Sequence, residues 1–155
     1  MKLGQKTTEL LTGLTVTPIV LYVLSKDGLN RRINCQPHGI NPKTGEPVET
    51  IWTCDEHLKD GPIEGDLPFH LIGECAEDEA TGFNGRISEI CLHINGCVHV
   101  VITPKGVAEN GNAIRSINFD IRRVKGKNIP KFNAQELNKS IKEKPSPTSC
   151  SRPNR

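Results

Sequence analysis

Thr81-Gly82-Phe83-Asn84-Gly85-Arg86-Ile87-Ser88-Glu89-Ile90-Cys91-Leu92-His93-Ile94-Asn95-Gly96-Cys97-Val98-His99-Val100-Val101-Ile102-Thr103 is the stretch whose reading decides the fold. Phe83 to Ile94 reads as a long strand, and Asn95-Gly96 is a strong hairpin signal because both residues tolerate the positive φ of a tight turn. Cys97 to Thr103 returns as the second arm. Lys105 to Asn112 then loops, and Ala113 to Phe119 closes the unit as a last strand. Long strand, hairpin, strand, loop, strand in so short a length predicts a small, strongly bent barrel of the SH3-like kind. No helix is expected inside this unit.

The same wording occurs earlier in the chain. Leu71-Ile72-Gly73, Thr81-Gly82-Phe83, Pro104-Lys105-Gly106 and Ile117-Asn118-Phe119-Asp120 follow Lys2-Leu3-Gly4, Thr12-Gly13-Leu14, Pro37-His38-Gly39 and Trp52-Thr53-Cys54-Asp55. The Gly and Thr-Gly anchors match at one constant offset, and the later anchors follow after small slips. Such a duplication sets the architecture. The expected organisation is a β module at 1–58, an acidic linker at 59–68, a second β module at 69–124, and a basic tail at 125–155. Asn133 can cap a short helix near 134–142, and the Pro/Ser-rich end beyond it is expected to be disordered. The fold class is therefore mostly β: two tandem small SH3-like barrels or bent β-sheets.

In the first module Leu14 to Leu24 reads as the long strand, Arg31 to Gln36 as its return and Val48 to Cys54 as the last strand. Pro18 removes a donor, so the long strand should be at an edge or bulged there. That strand is apolar on both faces, which predicts packing on the second module or on another chain.

Charge is unevenly distributed. Residues 1–120 hold 10 Lys+Arg against 16 Asp+Glu, whereas residues 121–155 hold 10 against 2. An acidic body thus carries a basic tail. No stretch reaches membrane-span length, and the N-terminus lacks the apolar core of a signal peptide, so the expected setting is the cytoplasm with reduced thiols. Modules of roughly 55 to 60 residues are near the size where a lone core becomes marginal, which favours packing on each other or self-association.

The pattern Gly73-x-x-Ala-x-Asp78-x-Ala80-Thr81-Gly82-Phe83-x-Gly85, then Asn95-Gly96-Cys97, Pro104-Lys105 and an apolar-x-Phe119-Asp120 ending resembles small uncharacterised phage and prophage proteins made of one such module. The resemblance covers residues 71–124 and extends more loosely to the first module, which departs from it with Val16 in place of Gly85. It implies a phage setting, hence the cytoplasm of a bacterial host, and carries no activity.

Several residue sets could bear chemistry. Cys35-x-x-His38 and Cys54-x-x-His57 together have the composition of a four-ligand zinc site. Strand geometry weakens this reading, because residues i and i+3 point to opposite faces. No cofactor is otherwise expected. Cys91, His93, Cys97 and His99 flank the Asn95-Gly96 turn. They share a face only if that turn has three residues; with two, the pairs lie on opposite faces. No nucleophile with a base and an orienting partner is visible, so an enzyme is not expected.

Arg31, Arg32, Arg86 and Arg115 are the arginines of the body that could meet an anionic ligand. Arg122, Arg123, Lys125, Lys127 and Lys131 form a basic run suited to nucleic acid. The sequence thus points first to a phage-encoded, non-enzymatic protein that inhibits or sequesters a host factor, such as a defence protein, or a small anionic ligand. The alternatives are a nucleic-acid-binding accessory protein and a virion component.

Overall fold

The computed structural model describes residues 1–64 and 68–131. Nine strands form a single antiparallel sheet: β1 (Thr7–Thr8), β2 (Thr15–Val23), β3 (Arg31–Pro37), β4 (Ile51–Thr53), β5 (Cys75–Asp78), β6 (Asn84–His93), β7 (Val98–Thr103), β8 (Ile117–Asp120) and β9 (Val124–Lys125). The main path runs β4-β3-β2-β6-β5-β9, with β1 on β2 and β7 joining β6 to β8. Among the described residues there is no α-helix, only 3₁₀ turns at Asp55–His57, Phe69–Leu71 and Ile121–Arg123. The helix expected near 134–142 lies outside the described residues.

The sheet corrects the expectation of closed barrels. Each long strand shares one edge between two partners. The start of β2 pairs with β1 and its end with β6; the start of β6 pairs with β5 and its end with β2. The edge that a barrel would need for its own closure is therefore taken by the other half, and the sheet stays open.

The duplication is visible bond by bond. Gly4 and Gly73, and Gly13 and Gly82, stand at the same 69-residue spacing (4 to 73, 13 to 82). The Gly4 amide donates to the Pro18 carbonyl, and the Gly73 amide to the Ile87 carbonyl, one spacing on. The pairing of β2 with β3 slips between Pro18 and Val20, and that of β6 with β7 slips between Ile87 and Glu89. The bulge expected from Pro18 is present. Its repetition at Ile87, where no proline stands, shows that the bend belongs to the shared backbone plan.

Where the halves meet, residues 20, 21, 22 and 23 face 93, 92, 91 and 90. The 69-residue spacing carries Tyr22 onto Cys91, the residue opposite it (22 to 91). Equivalent strands thus pair antiparallel about equivalent residues, and a local two-fold axis passes through this pair. On the core side of the junction Leu21, Val23, Ile90 and Leu92 are all buried, within one core that spans both halves.

A carboxylate fixes the turn that feeds each long strand. Glu9 accepts from the Thr12 amide (2.8 Å) and hydroxyl (2.7 Å), while its own amide and carbonyl bond Leu14 and Gly13. Asp78 does the same with the Thr81 amide (2.9 Å) and hydroxyl (2.7 Å), and with Phe83 and Gly82. Gly13 and Gly82 close these turns at φ of 70° and 71°, a conformation that side chains other than glycine rarely adopt.

Candidate functional site: a basic groove in the second half

A groove of about 1030 Å³ opens beside β5 and the start of β6. Its cations are Arg86, Lys105, Lys125 and Lys127, and its one carboxylate is Glu77. Three stretches of chain deliver them. Arg86 faces Cys75 on one side of β5, Glu77 pairs with Lys125 of β9 on the other side, and Lys105 follows the end of β7. Two glycines occur where these stretches approach most closely. A Cβ on Gly85 would lie 2.3 Å from the Thr103 carbonyl oxygen, and one on Gly126 would lie 2.4 Å from that of Cys75. Any side chain at either position would force the backbone apart. Phe83 and Ile114 add apolar wall.

The cations differ in how they are held. Arg86 donates from Nη1 to the Gly73 carbonyl (2.6 Å). Lys125 Nζ lies 3.0 Å from Glu77 Oε1, and that hydrogen bond and charge hold the ammonium pKa above its ordinary value. Lys105 and Lys127 have no hydrogen-bond or ion-pair partner among the described residues. Glu74, just before β5, accepts from the Asn128 side-chain Nδ2 (2.7 Å) and from Lys26 Nζ (3.3 Å), which hold its carboxyl below the usual range.

The first half has no such set. In the strand pairing Leu58 meets Glu9 as Val124 meets Asp78, one residue off the sequence anchor at Asp55 and Asp120. By that pairing, Arg86, Lys105, Lys125 and Lys127 correspond to Thr17, His38, Lys59 and Gly61, and Gly85 and Gly126 correspond to Val16 and Asp60. The correspondence is structural: His38 Nε2 and Thr17 Oγ1, which stand for Lys105 and Arg86, lie 2.8 Å apart. One half therefore keeps a single lysine where the other gathers four cations.

The remaining sequence candidates are dispersed. Arg31 donates to the Ile63 carbonyl (2.8 Å) and sits 3.7 Å from Asp55, so it braces the first half. Arg32 stacks over Trp52 at 5.0 Å. Arg115 is exposed and outside the groove lining. Arg122 is held by Asp120, which also accepts from the Arg122 amide (2.9 Å), and Lys131 is exposed. Arg123 reaches the buried Asp78 (2.9 Å) and lies 5.9 Å over Phe119. Of the nine basic residues singled out from sequence, Arg86, Lys125 and Lys127 meet in the groove. Lys105 was passed over, although Pro104-Lys105-Gly106 against Pro37-His38-Gly39 was a signal that one anchor had acquired a charge.

The cysteine and histidine sets are likewise placed. Cys35 is buried, and burial pushes its thiol pKa up to about 11; His38 is exposed against Thr17. Around Asn95-Gly96 the register pairs Leu92 with Val98 and Cys91 with His99, and the His93 amide donates to the Cys97 carbonyl. The turn is therefore the three-residue form, with Cys91, His93, Cys97 and His99 on one face. The rings of His93 and His99 meet edge-on with centroids 4.8 Å apart. Burial and the His99 charge lower the His93 pKa, and burial raises the Cys91 thiol to about 12. Among the described residues no three His, Cys, Asp or Glu side chains are placed to hold a metal ion, so neither set assembles a four-ligand centre. Comparisons with protein-family models, curated proteins and solved structures found no match.

Proposed function

We propose that this protein is a non-enzymatic binding protein that holds an anionic partner in the basic groove of its second half. The observation that carries the reading is the gathering of Arg86, Lys105, Lys125 and Lys127 around one carboxylate, within residues 1–131, whose 15 Lys+Arg and 16 Asp+Glu otherwise nearly balance. Cations gathered in one place on a nearly neutral body mark a local field, which attracts an anion without making the whole molecule sticky. Each half is, on this reading, a small SH3-like module left open, one serving as frame and the other as binder. The resemblance of residues 71–124 to phage proteins supports a partner among the components of a bacterial host, which the protein would occupy or sequester.

The test is retention on an anionic matrix such as heparin. Lys105→Glu with Lys127→Glu should elute at clearly lower salt than the parent chain. Lys43→Glu with Lys59→Glu makes the same change of net charge in the first half and should leave elution nearly unaltered. Equal effects of the two pairs, or none from either, would reduce the groove to ordinary surface charge.

A further inference from the structure

We infer that the partner is single-stranded nucleic acid, an inference that rests on the anionic-partner reading of the groove. A compact anion such as free phosphate is best held by donors that converge on one point. These cations are distributed instead. Arg86 lies beside Cys75, and Lys125 beside Glu77 two residues further along β5, about 7 Å on at the rise of an extended strand. Lys105 enters from the loop after β7, and Lys127 follows β9. Arg86 and Lys125 are positioned by Gly73 and Glu77, while Lys105 and Lys127 have their ammonium groups uncommitted to any protein partner among the described residues. Charges spread along a groove suit a ligand with charges spread along a chain.

Part of the lining is apolar. Phe83, Pro104 and Ile114 line the same groove as the cations, and Asn84 adds a polar group. A lining that holds both cations and apolar surface matches a strand whose phosphates are charged and whose bases present flat apolar faces. A volume of about 1030 Å³ accommodates unpaired bases, whereas a duplex keeps its bases stacked inside and would offer only phosphates to the rim. In the sequence Lys131 follows Lys127, and residues 132–155 hold five Lys+Arg against two Asp+Glu.

The experiment is fluorescence anisotropy of the full chain with a labelled 20-nucleotide oligothymidylate, with a 20-base-pair duplex and a polyglutamate peptide as comparators. The single strand should bind more tightly than either comparator. Its log affinity should fall against log salt with a slope near −3, about −0.7 for each of four neutralised phosphates. Lys105→Glu with Lys127→Glu should weaken it at least tenfold, and Lys43→Glu with Lys59→Glu should not. If polyglutamate or duplex binds as tightly as the single strand, the nucleic-acid inference is wrong while the anionic groove stands. If none of the three binds, both fall.

Discussion

Asp78 and Glu9 show how much one side chain can fix. Both are buried carboxylates, and burial alone would raise their pKa values. Hydrogen bonds from Thr81 and Arg123 to Asp78, and from Thr12 to Glu9, outweigh that penalty and leave both acids lowered. A carboxyl more acidic when folded than unfolded stabilises the fold above its unfolded pKa, near 4, and that stabilisation is lost as pH falls through the folded value. Thermal stability should therefore hold across neutral pH and decline below about pH 4. Asp78→Asn should melt lower at pH 7 and lose less on acidification, since the titrating group is gone. Circular-dichroism melts from pH 7 to pH 3 test this; a variant melting with the parent chain at pH 7 would show that the turn does not depend on the charge. The Thr-Gly anchors were legible in the sequence as turn signals. Their carboxylates were not, because Glu9 and Asp78 look like ordinary surface acids until the turn folds back on them.

At the scale of elements, the long strands and their hairpin were readable because β-branched runs and Asn95-Gly96 each have a local physical cause. β1, β5 and β9 were not: two to four residues carry no alternation to detect. Nor was the open sheet, since closure depends on which edge wins a partner, and residues 20–23 and 90–93 choose each other. The doubly apolar β2 suggested face packing on the second half, whereas the contact is edge pairing with β6, and Val20 and Tyr22 on its other face are half-buried. Leu21 and Leu92 face each other across the junction and are almost wholly buried. Leu92→Ala should cost about 2–5 kcal/mol, the usual range for a leucine deleted from a close-packed core. Urea unfolding should show this as a single earlier transition, because both halves share the core. Loss of the second half alone, with the first intact, would show that the halves fold independently.

Across the whole molecule, the acid-and-base asymmetry of the chain was plain from composition, but its placement was not. Arg86 was counted among the body arginines and Lys125 and Lys127 among the tail lysines. Only the pairing of β5 between β6 and β9 puts them around one groove. Charges from residues 86 to 127 converge through antiparallel pairing, which no local pattern encodes.

The two-fold axis through Tyr22 and Cys91 has a consequence for valency. Two identical modules joined in this way would present two identical grooves, able to bridge two partners or to draw one partner into a network. Here the equivalents of Arg86, Lys105 and Lys127 are Thr17, His38 and Gly61, so the joined pair presents its cations once. On the proposed binding function the frame is divalent but the capture monovalent, and calorimetric titration with a short oligonucleotide should saturate at one strand per chain. On that proposal a ligand would be masked rather than crosslinked, as sequestration requires.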